Sequence, residues 1–240
     1  MKLSRIFIAL MLAASSSAQA IPLSDLLNGG SITAGDKLFD EWTYSYASTE
    51  QFRRFDAANI EVTALSDGGL DPGPGLEFTV KNGELNVSGD DVYAFVDLML
   101  GFRASVLDPG MKINGNSLEI SGIGSFVSWM SDGSNDNGSY ILESIGTAVG
   151  LDDLATEAVE YSVLDEVLTS SLLDTSTFSP QSELWVTKNI LVWATDVDDS
   201  AGLWSFTQRF SQTTVVPEPA TLALLGLGLL GLGIVRQRSR

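Results

Sequence analysis

The chain has 240 residues with 13 Lys+Arg against 31 Asp+Glu, which gives a formal net charge of −18, and it contains neither cysteine nor histidine. The missing side chains exclude disulfides, thiol nucleophiles, thiolate zinc sites and catalytic triads that use imidazole. The acidic charge argues against nucleic acid as a partner, because binding phosphates requires Lys and Arg.

Residues 1–20 have the pattern of a secretory signal peptide. Lys2 and Arg5 precede an apolar run of nine residues at 6–14, which is too short for a bilayer-spanning helix of about 20 residues. Ala18 and Ala20 have the small side chains that a signal peptidase accepts. We expect cleavage after Ala20. The alternative, a membrane anchor that stays attached, fits the short run less well.

Residues 21–214 form the predicted body of the protein. The body holds eight basic and 30 acidic residues, a net charge of −22, and it is long enough to bury a core without disulfides. Apolar and polar residues alternate in many short runs, which Gly, Asn and Asp interrupt. This pattern predicts a mainly β fold, an antiparallel β-sandwich or jelly-roll-like body. No family is recognisable in the body.

Some segments give more detailed predictions. The alternation at 76–87 around Asn82-Gly83 indicates a β-hairpin. The segments 92–102 and 184–194 are partly apolar on both faces, which is typical of central strands.

One segment of the body departs from the strand pattern. Apolar residues recur near helical spacing from Leu151 onward, and Asp152 and Asp153 would suit the start of a helix. The spacing predicts a helix over 151–160. The competing interpretation is a β-strand at 158–169.

Without histidine or cysteine, catalysis would depend on carboxylates, and two carboxylates about 5 to 9 Å apart can hydrolyse glycosides. The candidate pairs are adjacent in sequence: Asp90-Asp91, Asp152-Asp153 and Asp198-Asp199. Adjacent residues of a strand point to opposite faces. We therefore interpret these pairs as solvated turns and predict no catalytic residue.

A polar loop at 132–138 has oxygen donors spaced as in a calcium-binding loop. Counting Asp132 as position 1 places Ser134 at position 3, Asp136 at position 5 and Glu143 at position 12. The pattern departs from the motif at position 6, where Asn137 replaces Gly, and at position 8, where Ser139 replaces an apolar residue. An exposed polar turn is the competing interpretation, and no other cofactor is predicted.

Five tryptophans could stack on sugars or pack in the core: Trp42, Trp129, Trp185, Trp193 and Trp204. In a β-sandwich such residues belong more often to the core. The alternation near the end of the body places Trp204, Phe206 and Phe210 on one face of a strand.

Residues 215–240 have three parts in a fixed order. Pro217-Glu218-Pro219 precedes an uncharged run at 220–235, and Arg236, Arg238 and Arg240 follow at once. A helix over the 16 residues of this run would cover about 24 Å, a short but workable span. The arginines stay in the cytoplasm by the positive-inside rule, which places the body outside. The N-terminal signal demands the same orientation.

This tail resembles the PEP-CTERM sorting signal, which is also catalogued as an ice-binding protein C-terminal domain. The resemblance rests on Pro217, Glu218, Pro219, the glycine-leucine span and the terminal arginines, and it does not imply ice binding. It implies a Gram-negative bacterium that makes exopolysaccharide, and an exosortase that cuts near the Pro-Glu-Pro motif. The protein would be anchored transiently in the inner membrane and then reach the cell surface or the extracellular matrix.

Three hypotheses for the body follow. The first is a non-catalytic structural or adhesive role in an exopolysaccharide or biofilm. The second is a carbohydrate- or calcium-binding module. The third is a carboxylate-based hydrolase, which predicts two carboxylates facing each other in a concave pocket.

Overall fold

The structure is a computed structural model that describes residues 20–126 and 136–215. The predicted membrane span at 220–235 and residues 1–19 of the predicted signal peptide lie outside these residues. Within the described ranges, no helix is both long and apolar enough to cross a membrane. The first described residue, Ala20, pairs with Thr63 at the edge of a sheet.

The described chain forms fourteen strands, one short helix and one 3₁₀ turn. In chain order they are β1 Ala20–Pro22, α1 Leu23–Leu27, β2 Ile32–Ala34, β3 Lys37–Ser48, the 3₁₀ turn Ala57–Asn59, β4 Ile60–Leu65, β5 Gly75–Val80, β6 Asn86–Ser88, β7 Ala94–Val106, β8 Met111–Phe126, β9 Asn137–Gly146, β10 Ala155–Leu164, β11 Val167–Ser171, β12 Leu173–Gln181, β13 Glu183–Ala194 and β14 Ser200–Thr214.

The strands form two antiparallel sheets. Sheet A has the order β1-β4-β5-β14-β8-β12, with β6 also paired to β14, and sheet B has the order β11-β10-β9-β13-β7-β3-β2. The strands β7 and β13 each have two neighbours in sheet B. This confirms that 92–102 and 184–194 contribute central strands.

One hydrophobic core is shared by the inner faces of both sheets. Phe78 and Phe206 of sheet A stack at 4.5 Å between ring centroids, and Trp42 and Phe102 of sheet B lie 4.8 Å apart. Burial of such side chains is the main favourable term in folding. The predicted antiparallel packing of strands around one core is confirmed.

The prediction of a helix over 151–160 is wrong. This segment enters β10, which turns at Asp165 and Glu166 into β11, so the competing strand interpretation was the better one. The inner face of β10 includes Glu157, which is 1% exposed, and Val159, which is fully buried. A buried carboxylate at an inward position hides the two-residue period and leaves an accidental helical spacing.

The predicted hairpin at 76–87 is also wrong. Asn82 and Gly83 do adopt positive φ values of 53° and 68°, but β5 and β6 pair with β14 and not with each other. Both run antiparallel to β14, one after the other along the same neighbour. The carboxylate of Glu84 accepts hydrogen bonds from the Asp56 N–H at 2.9 Å and from Asn59 at 2.8 Å. These bonds direct the turn toward the 3₁₀ segment instead.

Candidate functional site

The outer face of sheet A carries an exposed tryptophan. In β14, Leu203 is fully buried and Phe206 is 1% exposed, whereas Trp204 between them is 50% exposed. The pairing of β14 with β8 is irregular on both sides of Ser205. A bulge opposes two residues to one and shifts the alternation of side chains. The prediction that Trp204 shares a face with Phe206 and Phe210 is therefore wrong.

Three glycines lie beside the side chain of Trp204, and two of them are close to its indole. A Cβ added at Gly124 would stand 2.4 Å from Cζ2 of Trp204, and one at Gly122 would stand 3.4 Å from its Cβ. A Cβ at Gly202 would lie 3.2 Å from the indole Nε1. The ring thus rests against bare backbone on one side. We call Trp204 with Gly122, Gly124 and Gly202 the indole platform.

The indole platform borders a cavity of about 410 Å³. Polar groups of Asn86, Ser88 and Ser200 line this cavity beside the ring. Asn86 lies on β6 directly opposite Gly202. An open aromatic ring flanked by hydroxyl and amide groups suits a ligand with an apolar face and polar edges.

A second cavity, of about 460 Å³, lies against the C-terminal half of β14. A loop at 66–74 forms one wall. Arg209 holds this loop by donating to the Asp67 carboxylate at 3.0 Å, and Ser211 donates to Asp71 at 2.7 Å. Ser117 and Glu119 of β8 and Thr175 of β12 complete the lining. The outer face of sheet A therefore carries polar concave surface beyond the indole platform.

The other described tryptophans lie elsewhere. Trp42 is 7% exposed and belongs to the hydrophobic core, whereas Trp193 is 8% exposed and is covered outside that core, with its ring against Gly138. Trp185 is half-buried on β13, and the guanidinium of Arg103 lies 5.8 Å from its ring centroid. Trp129 lies outside the described residues. Among the described tryptophans, Trp204 alone presents half of its surface to solvent.

The calcium-loop candidates are separated where the structure describes them. Asp136 accepts a hydrogen bond from the Asp165 N–H at 2.9 Å, whereas Glu143 is fully buried in β9. Seven strand residues span about 23 Å, so these two carboxylates do not ligate one cation. Asp132 and Ser134 lie outside the described residues. Across 20–126 and 136–215, no group of three or more acidic side chains could hold a metal ion. Calcium binding stays a prediction.

Two of the adjacent aspartate pairs stabilise turns. Asp90 accepts hydrogen bonds from the Val92 and Tyr93 N–H groups at 3.1 and 3.0 Å. Asp153 accepts from the N–H and the hydroxyl of Thr147, and these bonds lower the pKa of its carboxyl. In the third pair, Asp199 is 1% exposed, so the interpretation as a solvated turn is wrong for this residue.

A row of ionisable side chains that the sequence pattern did not predict crosses the inner face of sheet B. Glu157, Glu143 and Lys188 lie directly opposite one another on β10, β9 and β13. Asn116 and Gln208 reach them from sheet A. We call these five residues the buried polar row. Burial lowers the pKa of Lys188 well below its ordinary value.

Burial also raises the pKa of Glu157 to about 7, although the neighbouring Ser176 and the hydrogen bond from Asn116 act in the opposite direction. The charge of Asp174 adds to the increase. The carboxyl of Glu157 therefore gains its proton near neutral pH, which is unusual for a glutamate.

Comparison with known families identifies the C-terminal segment. Residues 215–238 match the model of the PEP-CTERM protein-sorting motif. This confirms the resemblance seen in the sequence and indicates export with processing by an exosortase. No curated protein matches the chain.

Three solved structures are distantly similar to the fold. A tailspike protein 4 domain of bacteriophage CBA120 is 10% identical with a TM-score of 0.24, and the match covers 72% of this chain but 19% of that one. TmCBM27, a carbohydrate-binding module that recognises mannan, is 10% identical with a TM-score of 0.26, covering 75% and 99%. A cellulase derived from Cel12A of Rhodothermus marinus is 11% identical with a TM-score of 0.18, covering 72% and 100%. The chain thus spans about a fifth of the tailspike domain.

Proposed function

We propose that the protein is a surface or extracellular-matrix protein of a Gram-negative bacterium. It crosses the inner membrane, stays there transiently through 220–235, and is released by an exosortase. The sorting motif at 215–238 supports this route. The body then acts outside the cell.

We further propose that the body has a non-catalytic, adhesive role in an exopolysaccharide or biofilm, and that the outer face of sheet A binds the polysaccharide. The half-exposed indole of Trp204 over Gly124 is the observation that carries this proposal. A pyranose ring has an apolar face of C–H groups, which packs on an aromatic ring, and hydroxyl edges, which hydrogen bond to Asn86 and Ser88.

The outer face of sheet A is long enough for several sugar units. Trp204 and Ser211 are seven positions apart on β14, which corresponds to about 23 Å. Arg209 lies between them on the same strand and lines the second cavity. This extent suits an extended chain better than a single sugar.

The charge of the body favours a neutral polysaccharide. Residues 21–214 carry a net charge of −22, and long-range repulsion would slow and weaken the approach of an anionic polymer. Neutral glycans do not experience this repulsion. We therefore place uncharged or weakly charged exopolysaccharide first among the ligands.

We propose no hydrolytic activity. Glu143 and Glu157, which share the amide of Asn116, are 0% and 1% exposed. A polysaccharide cannot reach carboxylates enclosed between two sheets.

We also assign the sandwich to the jelly-roll-like class, because the chain passes from one sheet to the other between β7 and β8, β12 and β13, and β13 and β14.

A glycan array of neutral and anionic polysaccharides, probed with and without calcium, tests the binding role. We expect neutral polysaccharide to bind, and the variant Trp204→Ala to lose about tenfold in affinity, the equivalent of about 1.4 kcal/mol. Trp204→Phe should retain part of the affinity because it keeps an aromatic ring. The matched control is Trp185→Ala, which removes the half-buried tryptophan of sheet B and should leave binding unchanged. Equal binding by Trp204→Ala and the wild type would refute the proposed site.

A further inference from the structure

The buried polar row places an amine and a carboxyl in direct contact inside the core. Lys188 and Glu143 are opposite each other in the pairing of β13 with β9, and both side chains are fully buried. The Lys188 Nζ contacts Oε2 of Glu143. Phe206 of sheet A covers the amine, with its ring centroid 5.7 Å from Nζ. Bulk water is therefore excluded from both groups.

The second oxygen of the Glu143 carboxyl is held by two amide donors. Asn116 Nδ2 donates to Oε1 at 2.5 Å, and Gln208 Nε2 donates to the same oxygen at 2.9 Å. Both donors come from sheet A and are fixed by a hydrogen bond of 3.0 Å from Gln208 to Asn116. Two N–H groups on one oxygen polarise a carbonyl and stabilise the negative charge that develops when a nucleophile attacks its carbon.

The enclosed pair favours its uncharged form. Burial without water penalises both an ammonium and a carboxylate, so transfer of one proton from Lys188 to Glu143 removes two charges from the core. The product of this transfer is a free amine beside a carboxylic acid. These are the two reactants that form an amide, and the fold holds them in contact in a dry site.

From this geometry we propose that Lys188 and Glu143 join in an intramolecular isopeptide bond. The lone pair of the neutral Nζ attacks Cδ of Glu143, and negative charge collects on Oε1 under the Asn116 and Gln208 donors. A C–N bond forms and the bond from Cδ to Oε2 breaks. Oε2 leaves with its own proton and one proton from nitrogen as a molecule of water. No oxidant or further reactant is needed.

Glu157 acts as a positioning residue for this reaction. Its Oε2 accepts from Asn116 Nδ2 at 2.6 Å, and the same nitrogen donates to Glu143. The contact fixes the amide of Asn116 in the orientation that polarises Glu143. The cross-link joins two neighbouring strands that are 45 residues apart in sequence. It would restrict the unfolded chain as a disulfide does, in a protein without cysteine.

Mass spectrometry of the purified protein tests the bond directly. We expect the intact mass to be lower than the sequence mass by one water molecule, after allowance for the processed ends. Trypsin should fail to cleave after Lys188, so that residues 113–209 are released as one peptide. Further digestion after glutamate should leave a branched product in which 120–157 is joined to 184–209.

The variant Glu143→Ala provides the reference digest. Digestion is carried out on denatured protein, so the reference does not require the variant to fold. We expect normal cleavage after Lys188 and no loss of water. A wild-type protein with the full sequence mass and normal cleavage after Lys188 would overturn the proposal, and so would an identical water loss in Glu143→Ala. The readout is independent of glycan binding, so the two proposals can fail separately.

Discussion

The six-membered ring of Trp204 lies directly over Gly124. A Cβ at Gly124 would stand 2.4 Å from Cζ2 and 3.0 Å from both Cε2 and Cη2 of the indole. Carbon atoms in contact are normally about 3.5 to 4.0 Å apart. Any side chain at this position must therefore displace the indole. The relationship makes the glycine, as much as the tryptophan, a determinant of the proposed binding face.

Gly124→Ala tests this relationship. We expect the indole to swing away from β8, the affinity for neutral polysaccharide to fall about tenfold, and the free energy of unfolding to fall by less than about 1 kcal/mol because the ring is already half exposed. Tryptophan fluorescence, glycan binding and denaturant unfolding measure these three effects. The control is Gly110→Ala, which lies outside both cavities and where an added Cβ meets only the end of the Asp108 side chain, 3.2 Å from its carboxylate oxygen. Unchanged affinity in Gly124→Ala would show that the platform is not the binding surface.

The stability of the fold should depend on pH through Glu157. The unfolded chain releases this proton near pH 4.5, whereas the folded protein keeps it until about pH 7. Between these values the folded state binds more protons than the unfolded state, so the free energy of unfolding falls as the pH rises. Above pH 7, ionisation of this group lowers the free energy of unfolding by about 3 kcal/mol in total. Glu143 and Asp174 face Glu157 from β9 and β12.

Denaturant unfolding of Glu157→Gln at pH 5 and pH 8 measures this contribution. The free energy of unfolding of the variant minus that of the wild type should be larger at pH 8 than at pH 5, by up to about 3 kcal/mol. The reason is that glutamine carries no charge to bury. Glu119→Gln alters an exposed carboxyl on β8 and should show no such difference between the two pH values. A constant stability offset for Glu157→Gln at both pH values would contradict this explanation.

The alternation of apolar residues predicted the strand content and the central strands correctly, but not the features on which the two proposals rest. A bulge at Trp204 leaves no trace in a two-residue period, because it arises from the pairing with β8. The buried polar row escapes prediction for a different reason. Glu143, Glu157 and Lys188 occupy inward positions, and charged residues at such positions are read from sequence as surface. Their buried positions become evident only from their contacts with residues of the facing sheet.

The C-terminal sorting motif differs from these features of the body, because it does not depend on contacts made in the fold. The sorting motif is a linear pattern of residues at 215–238, so the sequence contains all of it. The candidate calcium loop shows the limit of linear spacing. Its twelve-residue count assumes a compact loop, but the chain enters β9 at Asn137 and carries Glu143 away from Asp136.

Glu166→Gly should stabilise the turn between β10 and β11. Leu164 pairs with Val167, so Asp165 and Glu166 form a two-residue connection, and their φ angles are 48° and 65°. A side chain is strained in this left-handed region, whereas glycine is not. We expect a gain of about 1 kcal/mol in the free energy of unfolding. Asp152→Gly, outside the left-handed region, should lose stability instead, and a loss in Glu166→Gly would contradict the assignment of strain.

Glu218→Ala should retain the protein in the inner membrane. The matched motif at 215–238 contains Pro217-Glu218-Pro219 ahead of the apolar run. Because proline restricts its own backbone and that of the preceding residue, we expect this motif to be presented to a protease in a limited set of conformations. The variant removes the charged side chain between the two prolines, by which we expect an exosortase to recognise the motif, and leaves the predicted membrane span and the arginines unchanged. Fractionation of cells into inner membrane, outer membrane and medium measures the outcome. Gln237→Ala, among the terminal arginines, serves as the control and should be sorted normally. Release of Glu218→Ala in wild-type amounts would show that sorting does not depend on this motif.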